Sequence, residues 1–133
     1  MADQIGALLD TSILIAQETG RPLRVADIPD GPVISVVTLA ELRLAILNAG
    51  DTPTQARCLQ TLERALRVQA IPIDETIAFN WAVLRSAARS LSQSRINDLW
   101  IAATAMALRV PVVTQDEGFV RLSQVGGPEA ILI

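Results

Sequence analysis

The run Ile5-Gly-Ala-Leu-Leu-Asp10, followed at once by Thr11-Ser-Ile-Leu-Ile-Ala-Gln17, decides the fold. A short apolar segment that ends on an acid and passes directly into a helical pattern reads as a buried strand with a carboxylate at its carboxyl end. The unit recurs along the chain. Val33-Ile-Ser-Val-Val37 is β-branched and predicts a second strand, and Thr38 to about Asn48 a helix stopped by Gly50. Thr19 to Pro32 reads as a loop. Thr52-Pro-Thr-Gln55 predicts a helix start, with Thr52 as cap, Pro53 in the first helical position and Gln55 completing a capping box, and the helix runs to Val68. Ala70-Ile-Pro-Ile-Asp74 predicts a short strand at a sheet edge, because Pro72 has no N–H to donate. Helices follow over Glu75 to Leu91 and Ser94 to Leu108, then a strand over Val110 to Thr114, a short helix over Glu117 to Leu122 and a last strand over Ala130 to Ile133.

Five short strands alternating with helices predict an α/β/α sandwich with a mostly parallel sheet covered on both faces. Ligands of such sheets bind outside the carboxyl ends of the strands, where strand order reverses. Asp10 and Asp116 therefore share one edge if their strands are neighbours.

The 133 residues, half of them hydrophobic, suit one compact domain spanning 1–133. No stretch approaches the roughly 20 apolar residues of a membrane span. Met1-Ala-Asp-Gln4 is acidic where a secretory signal is basic, so the expected location is cytoplasmic. The one cysteine, Cys58, falls inside a helical pattern and reads as a small packed side chain.

The absences narrow the chemistry. There is no His, no Lys and no Tyr. That removes the usual nucleophile triads, imidazole acid–base catalysis, the Walker lysine, Schiff-base chemistry and the usual zinc ligand sets. Carboxylates, hydroxyls, Arg and a hard metal held through oxygen are what remain. A net charge of −3 argues against coating nucleic acid through bulk electrostatics. All eleven basic residues are Arg, the side chain best shaped for bidentate phosphate contacts. With only Phe79, Trp81, Trp100 and Phe119, a broad base-stacking platform is not expected.

Four acids stand at element boundaries. Asp10 ends the first strand, where it could cap a helix or face a cleft. Glu41 completes Thr38-Leu-Ala-Glu41, a capping-box pattern, and could also project into a pocket. Asp98 shares a helical face with Ile101, Ala102 and Ala105, where a charge is costly without a cation or several donors, with a favourable place at the helix's positive N-terminal end as the plainer reading. Asp116, in Val113-Thr-Gln-Asp-Glu-Gly118, could be another cap; Glu117 beside it is a spare candidate with a solvated charge as the plainer reading. Arg43 and Arg95 are candidate phosphate contacts, with solvated helix charges as the plainer reading.

At these residues the sequence resembles a PIN-domain ribonuclease, and within that family the VapC toxins of toxin–antitoxin pairs. The resemblance rests on Leu8-Leu-Asp-Thr-Ser-Ile13, Thr38-Leu-Ala-Glu-Leu42, Ile96-Asn-Asp-Leu-Trp-Ile-Ala-Ala103 and Val113-Thr-Gln-Asp116, in the family's order and over nearly the whole chain. It implies that Asp10, Glu41, Asp98 and Asp116 form an acidic quartet coordinating Mg²⁺ or Mn²⁺ for RNA cleavage. It further implies that Thr11, Ser12, Asn97 and Thr114 orient ligands or water. A cognate VapB-type antitoxin and a dimer belong to the same expectation. Many members carry glycine near position 44 and shortly before the third acid; this chain has Leu44, and Ser94-Arg95. Rival classes are a PIN-fold nuclease with an RNA-processing role outside a toxin–antitoxin pair, a Mg²⁺-dependent phosphatase, and a non-catalytic binding module. The absence of Lys disfavours a receiver domain, Asp10-Thr-Ser12 in place of Asp-x-Asp disfavours a dehalogenase-type phosphatase, and the presence of all four acids disfavours a fold-only module.

Overall fold

The computed structural model describes residues 4–89 and 96–133. Five strands form one sheet: β1 (Ala7–Leu9), β2 (Pro32–Ser35), β3 (Ala70–Ile71), β4 (Val112–Thr114) and β5 (Ala130–Leu132). Their order is β3-β2-β1-β4-β5, and every pairing is parallel. The helices are α1 (Thr11–Thr19), α2 (Val36–Leu47), α3 (Thr52–Ala65), α4 (Glu75–Ala88), α5 (Ile96–Leu108) and α6 (Gly118–Ser123). The α/β sandwich expected from the alternation is the one that forms. β3 lies at the edge, as expected, and it ends at Ile71, so that Pro72 falls just past it.

Strand pleating sorts the core into two layers, because neighbouring residues point to opposite faces. Leu8, Val33 and Val112 pack against α4, α5 and α6 through Ile77, Leu84, Leu99, Ile101, Phe119 and Leu122. Ala7, Leu9, Ile34 and Val113 pack on the other face against Ile13, Leu14, Leu42 and Ala65. The two indoles, Trp81 of α4 and Trp100 of α5, stack with centroids 5.0 Å apart. Among the described residues no helix is long and apolar enough to cross a membrane.

Two helix starts differ from expectation. α2 begins at Val36, capped by Ser35, whose hydroxyl accepts from the Val37 N–H at 3.0 Å. Glu41 therefore lies in the second turn and takes no part in a capping box. α3 is capped by Asp51 rather than Thr52: its carboxylate accepts the Thr54 N–H at 2.8 Å. In both cases a short side chain earlier in the chain, three residues before Thr38 and one before Thr52, already meets the free amides. Ser94 and Arg95, expected at the start of α5, lie outside the described residues.

The ends of β1 and β2 remote from their carboxyl edge are locked by a close backbone crossing. Gly6 donates its N–H to the Gly31 carbonyl at 3.1 Å. A Cβ on Gly6 would fall 2.0 Å from the Asp30 carbonyl oxygen; Gly31, at φ 72°, would meet Gln4 O at 2.1 Å. This crossing sets the register Ala7 to Pro32. Gly6→Ala should lower unfolding free energy by about 2 kcal/mol or more, read as a shifted midpoint in urea denaturation followed by circular dichroism; an unchanged midpoint would show that the crossing relaxes freely.

Candidate active site

The sheet order reverses beside β1, so the crevice between β1 and β4 is the place where such a sheet takes a ligand. Leu9 pairs with Val113, and the Asp10 N–H donates to the Val113 carbonyl at 2.9 Å. Asp10 and Thr114 are thereby set opposite each other at the carboxyl edge. A cleft of about 480 Å³ opens there, lined by Asp10, Glu41, Asp98 and Asp116 together with Thr11, Ser12, Arg21 and Gln115, among others. Four elements supply the acids: the end of β1, the second turn of α2, the first turn of α5 and the turn after β4.

Asp10 is buried, with 4% of its surface exposed. It occupies the cap position of α1 but makes no side-chain capping bond. Its Oδ2 instead accepts from the Ser12 hydroxyl at 2.7 Å and the Thr114 hydroxyl at 2.8 Å. Each hydroxyl has one proton to give. The 3.4 Å approach of Ser12 Oγ to Thr114 Oγ1 is therefore packing, since both protons go to Asp10. The same oxygens accept backbone N–H groups, Ser12 from Gln115 at 3.1 Å and Thr114 from Asp116 at 2.9 Å. Burial pushes the Asp10 carboxyl above its usual range; the Ser12 and Thr114 hydroxyls and the nearby amides of Ser12 and Thr11 pull it part of the way back.

Glu41 is held by a second hydroxyl relay. Thr11 donates to Glu41 Oε1 at 2.7 Å, which commits its only proton. The 2.9 Å contact between Thr11 and the fully buried Thr38 must then be donated by Thr38. Asp116 Oδ1 accepts the Gly118 N–H at 2.8 Å, so one oxygen organises the entry to α6 while the residue also lines the cleft. Asp98 is half-buried and leads into Leu99, Ile101 and Ala102, all fully buried.

The structure thus brings Asp10, Glu41, Asp98, Asp116, Thr11 and Ser12 to one cleft, with Thr114 beneath them. Asn97 is exposed in the first turn of α5 and does not line the cleft; Arg43 is exposed on α2 and does not either. Arg95 lies outside the described residues. Sequence reading did not single out Arg21 or Gln115 and took Thr38 only as a helix start; Glu117, a spare candidate read as solvated, is exposed and also lines the cleft. Thr38 was discoverable: its i, i+3 spacing to Glu41 puts both on one helical face.

The donor set is oxygen throughout, carboxylates and hydroxyls, which suits a hard divalent cation. Among the described residues no three acids already form a ligand cluster. Mg²⁺ needs only one or two carboxylates, completing its shell with water and phosphate, so the residues fit such an ion. Asp10 supports that fit, because its donors are neutral hydroxyls and amides and leave its buried charge uncompensated.

A raised carboxyl pKa means that the folded state binds the proton more tightly than the unfolded one. Ionised Asp10 therefore opposes folding above its raised pKa, and the penalty fades as pH falls toward the ordinary 3.8. In chelator near neutral pH, Asp10→Asn should melt a few degrees above the wild type, with the gap closing as the solution is acidified. Thermal unfolding across pH measures this, and a lower melting point for the variant at neutral pH contradicts it.

Residues 7–125 match the PIN domain family. The chain is 46% identical over 127 residues to Ribonuclease VapC5 of Mycobacterium tuberculosis, covering 95% of this chain and 94% of that protein. It is 42% identical over 122 residues to Ribonuclease VapC4 of the same organism, covering 90% and 92%. Its fold matches the crystal structure of VapBC-5 from Mycobacterium tuberculosis, a member of the VapBC family of toxin–antitoxin systems, with a TM-score of 0.85 at 43% identity over 96% of this chain and 98% of that chain. A strand-end acid at the switch point, a cleft lined by carboxylates and hydroxyls, and these likenesses meet in one assignment: the chain belongs to the PIN-domain family, among its VapC proteins.

Proposed function

We propose that residues 1–133 act as one catalytic unit, a Mg²⁺- or Mn²⁺-dependent endoribonuclease that serves as the toxin of a toxin–antitoxin pair. The observation that carries this reading is the convergence of Asp10, Glu41, Asp98 and Asp116, from four separate elements, on one cleft at the carboxyl edge of the sheet. Relatives named as VapC ribonucleases, and a matching structure from a VapBC system, support both the RNA substrate and a VapB-type antitoxin as partner.

Asp10, Glu41, Asp98 and Asp116 would hold the cation. When bound, it would neutralise charge on the scissile phosphate and acidify a water at the reaction centre. The protein's own part is positioning. Ser12 and Thr114 fix Asp10 through Oδ2. Thr11, braced by Thr38, fixes Glu41 through Oε1. Among the described residues that line the cleft, the carboxylates are the side chains that can accept a proton from an attacking water. With no His or Tyr to pass a proton to and from the ribose 2′-hydroxyl, direct hydrolysis is the natural route, leaving 5′-phosphate and 3′-hydroxyl ends. Inhibition of translation and growth would follow, relieved by the antitoxin.

Asp98→Asn should cut RNA at least about a hundredfold more slowly, given that even supporting residues of metal sites are worth 10–100-fold, while its circular dichroism and melting point stay near wild type. A folded variant that cleaves at the wild-type rate removes Asp98 from the site. End analysis of the fragments checks the route separately: 2′,3′-cyclic phosphates would refute hydrolysis.

A further inference from the structure

Among the described residues, five acids and one cation line the cleft, and the cation is Arg21. Every phosphate of an RNA strand entering it adds negative charge to a site that already repels it. A divalent ion answers that problem at the reacting phosphate only. The flanking phosphates need a cation of the protein's own, and a chain of net charge −3 offers no bulk attraction to replace it.

Local structure delivers Arg21 to this position. α1 starts beside Asp10 and, with nine residues, carries the chain about 13 Å away along its axis. Gly20, left-handed at φ 74°, then turns the chain back, and the Gly20 and Arg21 N–H groups both close on the Ala16 carbonyl. Pro22 follows with its φ constrained by the ring. Its carbonyl accepts from Gln115 Nε2 at 3.1 Å, and the other proton of that amide goes to the Ile133 carbonyl at 3.2 Å. The backbone on either side of Arg21 is thus tied down, and its exposed side chain is left to move.

Neighbouring arginines are already engaged. Arg24 pairs with Asp27 and donates to the Leu132 carbonyl, and Arg57 and Arg64 donate to Thr54 and Thr61. Arg21 makes no ion pair within the described residues, even though it shares a cleft with five carboxylates.

Building on the ribonuclease reading above, we propose that Arg21 is the phosphate anchor of the cleft. Its guanidinium holds a backbone phosphate of bound RNA beside the nucleotide being cut, while the acids act on the scissile bond. Planar, bidentate donation to phosphate oxygens is what Arg offers and Lys does not. The contact is with the strand's backbone, so it governs affinity and register and leaves base preference to other groups.

The test is steady-state cleavage, with Mg²⁺, of a fluorophore–quencher RNA oligonucleotide of randomised single-stranded sequence. Arg21→Gln should raise KM about tenfold while kcat stays within about twofold, the signature of lost binding that is equal in ground and transition states. The slope of log(kcat/KM) against log salt should flatten by about 0.7, the share of one phosphate contact on a single strand. Arg21→Lys should keep the wild-type slope and recover only part of the KM. Arg67→Gln, which removes the same charge from an exposed site that does not line the cleft, should leave KM at the wild-type value. A wild-type KM and salt slope for Arg21→Gln overturn the anchor. So does a loss confined to kcat with weakened Mn²⁺ binding by calorimetry, which would make Arg21 a brace for the acids. Wild-type protein that cuts no RNA with Mg²⁺ or Mn²⁺ sinks the ribonuclease reading and this proposal together; wild-type cleavage with an indifferent Arg21→Gln sinks the proposal alone.

Discussion

The parallel pairing of β1 with β4 is the constraint on which the cleft depends. Leu9 opposite Val113 puts Asp10 across from Thr114, and the Asp10 amide bonded to the Val113 carbonyl carries that register one residue past the strand. A slip of one residue would turn Asp10 into the opposite core layer, because side chains alternate between faces. Burial of Leu8 on one face and Ala7 and Leu9 on the other forbids the slip. The apolar run that makes β1 a central strand is therefore also what aims its terminal acid.

A second constraint follows from crowding acids together. Positive side chains could hold such carboxylates in place, but they would also neutralise them. For Asp10 and Glu41 the described residues supply hydroxyls instead: Ser12 and Thr114 on Asp10, Thr11 and Thr38 on Glu41. A neutral donor fixes the direction of a carboxylate and leaves nearly all of its charge available to the cleft. The single-proton accounting makes each relay directional, running from Thr38 through Thr11 to Glu41, and ending on Oδ2 at Asp10. Such order in the supporting groups is what lets a metal site hold its geometry with few direct ligands.

Much of this was readable from residues in a row. β1 and β4 announce themselves by short apolar runs, and the edge position of β3 by Pro72. The convergence of Asp10 and Asp116 could be expected once β1 and β4 were taken as neighbours, but strand order is a tertiary property and only the structure supplies it. Helix starts were less readable. Ser35 caps about a turn before the motif beginning at Thr38, and Asp51 one residue before Thr52, because any nearby short polar side chain can satisfy the first amides. Arg21 was hidden for a different reason. Its place depends on the left-handed turn at Gly20 and on a bond from Gln115, more than ninety residues away, to Pro22.

The stacked pair Trp81–Trp100 bears on how this protein can be watched. These are its only indoles, it has no Tyr, and both rings sit between α4 and α5 on one side of the sheet. Intrinsic fluorescence and near-ultraviolet dichroism therefore report on that half of the molecule. The half built on α1 and α3 carries no chromophore of this kind, so events around Thr11, Thr38 and Arg21 are optically silent. A tryptophan introduced at exposed Leu44 or Leu59 would give that side its own signal.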